Sequence, residues 1–168
     1  HSFTGRVTCA HCCSLTVQSP ETVEKTLSAV KAAEVSIISL PMCNLYLQDR
    51  HPGRMPRYRG VTLLPEMQQR SIPTVLASDN CRDPFFAYGD HAGLEVFVES
   101  VRIGQLDRPY GTWPSAITAT AAQAMGLPDM AQLAVGRPAD LVCFQDRTLN
   151  ELVARRGCAR TIIRNGQP

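Results

Sequence analysis

Short apolar runs alternate with longer amphipathic segments along most of the chain. The short runs are typical of buried strands, and the longer segments repeat apolar residues at the spacing of a helix. Strands are predicted at residues 5–11, 35–40 and 73–78. Helices are predicted at residues 21–33, 63–70, 92–105 and 115–125, with a long loop after Pro41. This order favours an α/β fold with a parallel sheet, because crossover helices join parallel strands.

The pattern changes near residue 136. Two short strands are predicted beyond it, at residues 139–144 and 160–166, and the second ends in Asn165 and Gly166, a pair that favours a tight turn. We therefore expect two units, residues 1–135 and 136–168. The three parallel strands of the first unit cannot cover both of their sheet edges, so they are expected to belong to a larger sheet.

Charge and composition narrow the class of protein. In this chain of 168 residues, 17 basic side chains nearly balance 15 acidic ones, which does not indicate a nucleic-acid partner. An arginine-rich loop at residues 50–59 is better explained by solvated charge or a subunit contact than by phosphate binding. No apolar run approaches the roughly 18 residues of a membrane span, and no signal peptide is recognisable. A cytoplasmic protein without a membrane partner is expected, and the start at His1 indicates a processed or partial chain.

The cysteines are odd in number and scattered. They lie at positions 9, 12, 13, 43, 81, 143 and 158. Their apolar or strand-like surroundings favour buried, reduced thiols over a disulfide framework. The close spacing of Cys9, Cys12 and Cys13 could also indicate a zinc or redox motif, but no second pair stands at a suitable spacing.

Two polar residues stand at the ends of predicted strands. His11 ends the first strand, and Asp79 follows the third. If the strands are parallel, both side chains lie at the carboxyl edge of the sheet, where α/β enzymes keep their chemistry. The alternatives are that Asp79 caps a turn or helix and that His11 is a structural histidine. A hydrolytic metal centre needs a carboxylate and imidazoles, and one of each is too few.

Five segments resemble the cytosine deaminase-like branch of the amidohydrolase superfamily, over its C-terminal part. They are residues 6–11, 44–50, 57–62, 77–84 and 136–142. The resemblance implies that the chain is the C-terminal portion of a TIM-like (β/α)8 metallo-hydrolase barrel. Residues 1–135 would carry strands 6–8 of the barrel, and residues 136–168 would carry the C-terminal strands of a small β-sandwich.

The resemblance also implies roles for single residues. Asp79 matches a ligand of one divalent metal ion, zinc or iron, that also accepts a proton from the attacking water. His11 matches an electrostatic catalyst or proton relay. Asn80 and Phe85 match substrate-binding positions. The metal ligand set is incomplete in this chain, because the first-strand His-x-His pair, the fifth-strand histidine and the glutamate after it are not in the sequence.

The sequence leaves two classes of substrate ring open, a pyrimidine and a triazine. Asn80 replaces a carboxylate with an amide that also donates, and the triplet of residues 78–80 resembles N-isopropylammelide isopropylaminohydrolase of the same branch. The loop at residues 44–62 resembles the cytosine deaminases instead. We expect hydrolytic deamination of an exocyclic C–N bond on a pyrimidine nucleobase or a triazine.

Two partner arrangements and one function of another class remain open. The chain is expected to form a homo-oligomer or to be completed by the N-terminal half of the barrel. The alternative function is that of an inactive fragment or non-catalytic subunit that acts by association.

Overall fold

A parallel sheet forms the first part of the molecule. The computed structural model describes residues 3–155 and 159–168. Strands β1 (Thr8–Ala10), β2 (Ser36–Ser39) and β3 (Thr74–Leu76) are parallel and lie in chain order, with Ile37 of β2 pairing with Cys9 and with Thr74. The predicted parallel α/β arrangement is confirmed.

Helices connect and cover these strands. They are α1 (Pro20–Ala32), α2 (Pro41–Leu47), α3 (Leu64–Gln69), α4 (Gly93–Gly104), α5 (Ala119–Ala124) and α6 (Leu149–Ala154), with 3-10 turns at Cys13–Val17 and Trp113–Ile117. Helix α1 begins as predicted, because the Ser19 hydroxyl accepts the backbone N–H of Thr22 at 3.3 Å and Pro20 occupies the first turn. Within the described residues, no helix combines the length and apolarity that crossing a bilayer requires.

Helices α2 and α5 differ from the sequence prediction. The region after Pro41 was expected to be a loop, yet Pro41 is the first residue of α2, a position that proline tolerates because its N–H would be unpaired there. The predicted helix at residues 115–125 is interrupted at Thr118, whose φ of −129° and ψ of −102° separate a 3-10 turn from α5. Proline and local backbone geometry therefore decide both differences.

The main core lies where α4 packs against the sheet. Helix α4, which was predicted at residues 92–105, buries Phe97, Val98 and Val101. They join Leu76 of β3 and Val153 of α6 in one hydrophobic cluster. Helix α6, which was not predicted, thus contributes to the core beside the sheet.

Phe97 is expected to be a major contributor to stability. It is 2% exposed, so Phe97→Ala removes a ring from a packed cluster and should lower the free energy of unfolding by about 3–5 kcal/mol. Urea unfolding of the intact protein measures the change. The same substitution at Phe85, which is 63% exposed, should cost no more than about 0.5 kcal/mol. Equal losses for the two variants would contradict this account of the core.

A second, antiparallel sheet follows residue 136. Strands β4 (Leu141–Phe144) and β5 (Arg160–Ile163) pair with Leu141 opposite Ile163. The predicted turn after β5 is present, with Asn165 at φ 50° and Gly166 at φ 76°, the left-handed values that an Asn-Gly turn uses. The membership of these strands in a β-sandwich stays a prediction.

The cysteines are less buried than expected. The six described cysteines are free thiols, and Cys43 is the buried one. Cys9 and Cys143 are exposed, so the prediction of burial is wrong for both. Cys9 lies on β1, where all three residues are exposed, and Cys143 lies on β4, where the two central residues are exposed. Cys158 lies outside the described residues.

Candidate functional site

The ends of the strands bring two predicted site residues to one edge of the sheet. The backbone N–H of His11 donates to Ile38 O at 3.0 Å, and that of Ala77 donates to Ser39 O at 3.0 Å, so the sheet ladder continues to this edge. His11 and Asp79 then adopt φ values of 66° and 65°. Such left-handed values are uncommon for residues other than glycine, but nine other described non-glycine residues share them, so φ does not by itself mark a site.

His11 and Asp79 face each other across this edge. His11 Nε2 lies 3.9 Å from Asp79 Oδ2, and the side chains are 48% and 24% exposed. This separation is longer than a hydrogen bond, so the two groups are neighbours without a direct bond between them. A water molecule or a substrate atom could contact both groups at once.

Asn44 contacts Nδ1, the second ring nitrogen of His11. Its Nδ2 lies 2.9 Å from His11 Nδ1, and Asn44 is buried on α2. Sequence reasoning gave Asn44 no role, although it lies in one of the segments that carried the resemblance. The sequence does contain a signal for Asn44. It follows the predicted strand at residues 35–40 by four residues, which places it near the same edge of the sheet as His11 and Asp79.

Both ends of the Asn80 amide are engaged. Asn80 Nδ2 donates to Asp83 Oδ2 at 2.5 Å, and Cys43 Sγ donates to Asn80 Oδ1 at 3.7 Å. The Asn80 amide and the backbone N–H of Phe86 hold the pKa of the Asp83 carboxyl below its ordinary value. A carboxylate at position 80 would face Asp83 with like charge and could not donate, which explains the amide at this position.

The Cys43 thiol lies under the site as a neutral donor. Burial, followed by the neighbouring Asp79 carboxylate, raises the pKa of the thiol to about 11. The thiol is therefore protonated at neutral pH and acts as a hydrogen-bond donor to Asn80 Oδ1.

The predicted aromatic residue is separate from the aromatic cluster that the structure shows. Phe85 is exposed, whereas Phe86 is buried. Phe86 packs edge-on against Tyr46 and Tyr88, with ring centroids 5.2 and 5.6 Å apart. The Arg50 guanidinium lies 4.4 Å from the Tyr46 ring centroid. The substrate role of Phe85 stays a prediction.

The loop after α2 is anchored beside the segment that follows His11. The Asp49 carboxylate accepts Arg54 Nη2 at 2.5 Å and the backbone N–H of Tyr58 at 3.1 Å, and these donors hold its pKa well below the usual range. Tyr58 Oη in turn donates to Cys13 O at 3.1 Å. The loop thereby supports the backbone next to His11.

A complete metal site is not formed by the residues described. In residues 3–155 and 159–168, no group of three or more His, Cys, Asp and Glu side chains is placed to hold a metal ion. His11 and Asp79 supply one imidazole and one carboxylate at the edge, which are too few ligands for a metal site. These residues therefore supply part of a metal ligand set and do not complete one.

The sequence is similar to known hydrolases over nearly its whole length. A sequence profile described as "Amidohydrolase family" matches residues 1–167. The chain is 50% identical to a pterin deaminase of Rhizobium rhizogenes over 167 residues. The match covers 99% of this chain and 38% of that relative.

The fold is similar to that of solved deaminases and a related aminohydrolase. A 5-methylcytosine deaminase from Klebsiella pneumoniae, liganded with phosphonocytosine, superposes with a TM-score of 0.84 at 29% identity. The match covers 96% of this chain and 40% of that one. An N-isopropylammelide isopropylaminohydrolase from Burkholderia multivorans gives a TM-score of 0.76 at 19% identity, covering 96% and 38%. The chain thus spans about two fifths of the length of these relatives.

Proposed function

The chain belongs to the amidohydrolase family, and from this premise we propose that it is the part of a hydrolytic deaminase that carries His11 and Asp79. The carrying observation is that these two side chains meet at the carboxyl edge of a parallel sheet, 3.9 Å apart. The similarity to a pterin deaminase and to a 5-methylcytosine deaminase supports the same reaction class.

The reaction that this pair supports replaces an exocyclic amino group by oxygen. Water adds to the ring carbon, the C–N bond breaks, and ammonia leaves with one proton of the water, while the other proton stays on the oxo product. The Asp79 carboxylate accepts a proton from the water, and the His11 imidazole donates to the developing oxygen or carries the proton toward the leaving nitrogen. Both tasks need the groups close together without a bond between them, which is the observed arrangement.

Asp79 is also proposed as one ligand of a divalent metal ion, zinc or iron. Amidohydrolases are generally metal-dependent, and a similar structure, an adenosine deaminase from Xanthomonas campestris at a TM-score of 0.68, is described with bound zinc. Because the described residues do not complete a site, the remaining ligands are proposed to lie outside this chain. Completion by further barrel strands is favoured by β1, whose three residues are all exposed.

The ring that fits best is a pterin, with cytosine as the second candidate. The aligned region that is 50% identical to a pterin deaminase includes the positions of His11, Asp79 and Asn80. Cytosine rests on a structural neighbour at 29% identity and on the loop at residues 44–62. The triazine aminohydrolase at 19% identity supports the fold alone.

Ammonia release from a panel of rings tests this proposal. The chain, together with the part of the barrel that completes the metal site, is incubated with pterin, cytosine and N-isopropylammelide. The released ammonia or amine is measured. We expect kcat/KM for pterin to exceed that for cytosine by at least about tenfold, the discrimination that one or two ring contacts provide. Preference for cytosine would overturn the pterin assignment and retain the reaction. Failure of all three rings in a metal-loaded protein would contradict the deaminase proposal and favour a non-catalytic, associating role.

A further inference from the structure

Asn44 is the buried polar residue nearest to the proposed chemistry that has no assigned role. It is 6% exposed, and its backbone is fixed in α2, where its N–H donates to Leu40 O at 3.0 Å. Its side chain reaches from the second strand end to the first, with Nδ2 at 2.9 Å from His11 Nδ1. The side chain therefore contacts the ring of His11.

We propose that Asn44 is a positioning residue that holds neutral His11 with its proton on Nε2. An amide nitrogen can only donate, so the nitrogen that it contacts must offer a lone pair. With Nδ1 as acceptor, the single proton of a neutral imidazole is on Nε2. That N–H is on the side of the ring that faces Asp79 Oδ2. This inference rests on the proposed function of His11.

The opposite amide orientation gives a less favourable neutral state. With Asn44 Oδ1 toward the ring, the proton would be required on Nδ1, and Nε2 would present a lone pair to the Asp79 carboxylate. Two sets of lone pairs would then face each other at the place where the reaction needs a donor beside an acceptor. The observed orientation instead pairs a donor on His11 with an acceptor on Asp79.

The carbonyl oxygen of the Asn44 amide also indicates that this residue does more than stabilise the fold. Its Oδ1 is buried and has no hydrogen-bond partner among the described residues. A buried, unpaired carbonyl is costly and calls for an explanation. The contact with His11 Nδ1 provides one, because turning the amide to satisfy its oxygen elsewhere would remove the donor from the ring.

Nitrogen NMR of the histidine rings tests the tautomer directly. The intact protein is labelled with 15N-histidine, and the His11 signals are assigned by their loss in His11→Gln. We expect an unprotonated Nδ1 and a protonated Nε2 in the wild type at a pH where the ring is neutral. In Asn44→Asp, the new carboxylate should accept a proton from Nδ1, so Nδ1 should become protonated. In Asn150→Asp, a matched change at an exposed position of α6, the His11 signals should not move.

Two outcomes of the NMR experiment would overturn the proposal. One is a wild-type His11 with its proton on Nδ1. The other is an Asn44→Asp variant whose His11 nitrogens are unchanged. Because the tautomer is measured without substrate, this result is independent of turnover. If the tautomer is as proposed but His11→Ala keeps full activity, the proposed function of His11 fails and its positioning by Asn44 stands.

Steady-state kinetics of single and double variants of Asn44 and His11 provide a second test. Asn44→Leu, which keeps the side-chain volume and removes the donor, should lower kcat by about 10- to 100-fold with KM nearly unchanged. In a His11→Ala background, the same substitution should cause little further loss, because Asn44 acts through His11. Equal losses in both backgrounds would overturn the positioning role.

Discussion

Asp79→Ala is expected to abolish deamination by the intact protein, lowering kcat by at least about 1,000-fold. The substitution removes the carboxylate that is proposed to accept the proton from the attacking water and to hold the metal ion. It also leaves His11 without its neighbour at 3.9 Å. Ammonia release measures the activity, and elemental analysis of the purified protein measures the metal, which should fall in parallel.

The controls for this prediction separate chemistry from folding. Asp129→Ala removes an exposed carboxylate that pairs with Arg137, and it should keep both activity and metal. Asp79→Asn keeps the shape of the side chain and removes its charge, so it should fold as the wild type does and still lose turnover. Activity of Asp79→Ala close to that of the wild type would show that the assignment of Asp79 is wrong.

The sheet could be predicted from the sequence because its signals are local. Each strand is a short apolar run, and each is followed by a segment with helical spacing, so the parallel order follows from the pattern alone. The position of His11 and Asp79 at one edge follows from the same topology. Helix α6 also had a local signal, since Thr148 accepts the backbone N–H of Glu151 at 3.1 Å, the spacing of a capping box.

The contacts around the site could not be read in the same way. Asn44 is 33 positions from His11, and Cys43 is 37 positions from Asn80, so neither contact leaves a trace in the spacing of residues. Phe85 and Phe86 are adjacent and chemically identical, and only the backbone turn at Asp83 decides which ring joins the aromatic cluster. The prediction of burial failed at Cys9 because the sequence does not show whether a strand is covered, and all three residues of β1 are exposed.

His11→Ala is expected to lose turnover by about 100- to 10,000-fold while keeping most of the metal. The imidazole is proposed to donate to the developing oxygen and to carry protons, not to anchor the metal, so its removal should lower kcat without emptying the site. Ammonia release and metal content are measured on the same preparation. His51→Ala, which removes an exposed imidazole that pairs with Asp49, is the matched control and should keep its activity.

The two substitutions together separate the roles of the pair. Asp79→Ala should lose activity and metal, whereas His11→Ala should lose activity alone, and equal metal loss in both would assign His11 as a ligand instead of a proton carrier. The geometry is consistent with the first outcome, because Asn44 contacts Nδ1, Nε2 faces Asp79, and the proposed tautomer has its proton on Nε2. A nitrogen that carries a proton cannot bind a metal ion at the same time, so the donor role of His11 excludes the ligand role in the same state.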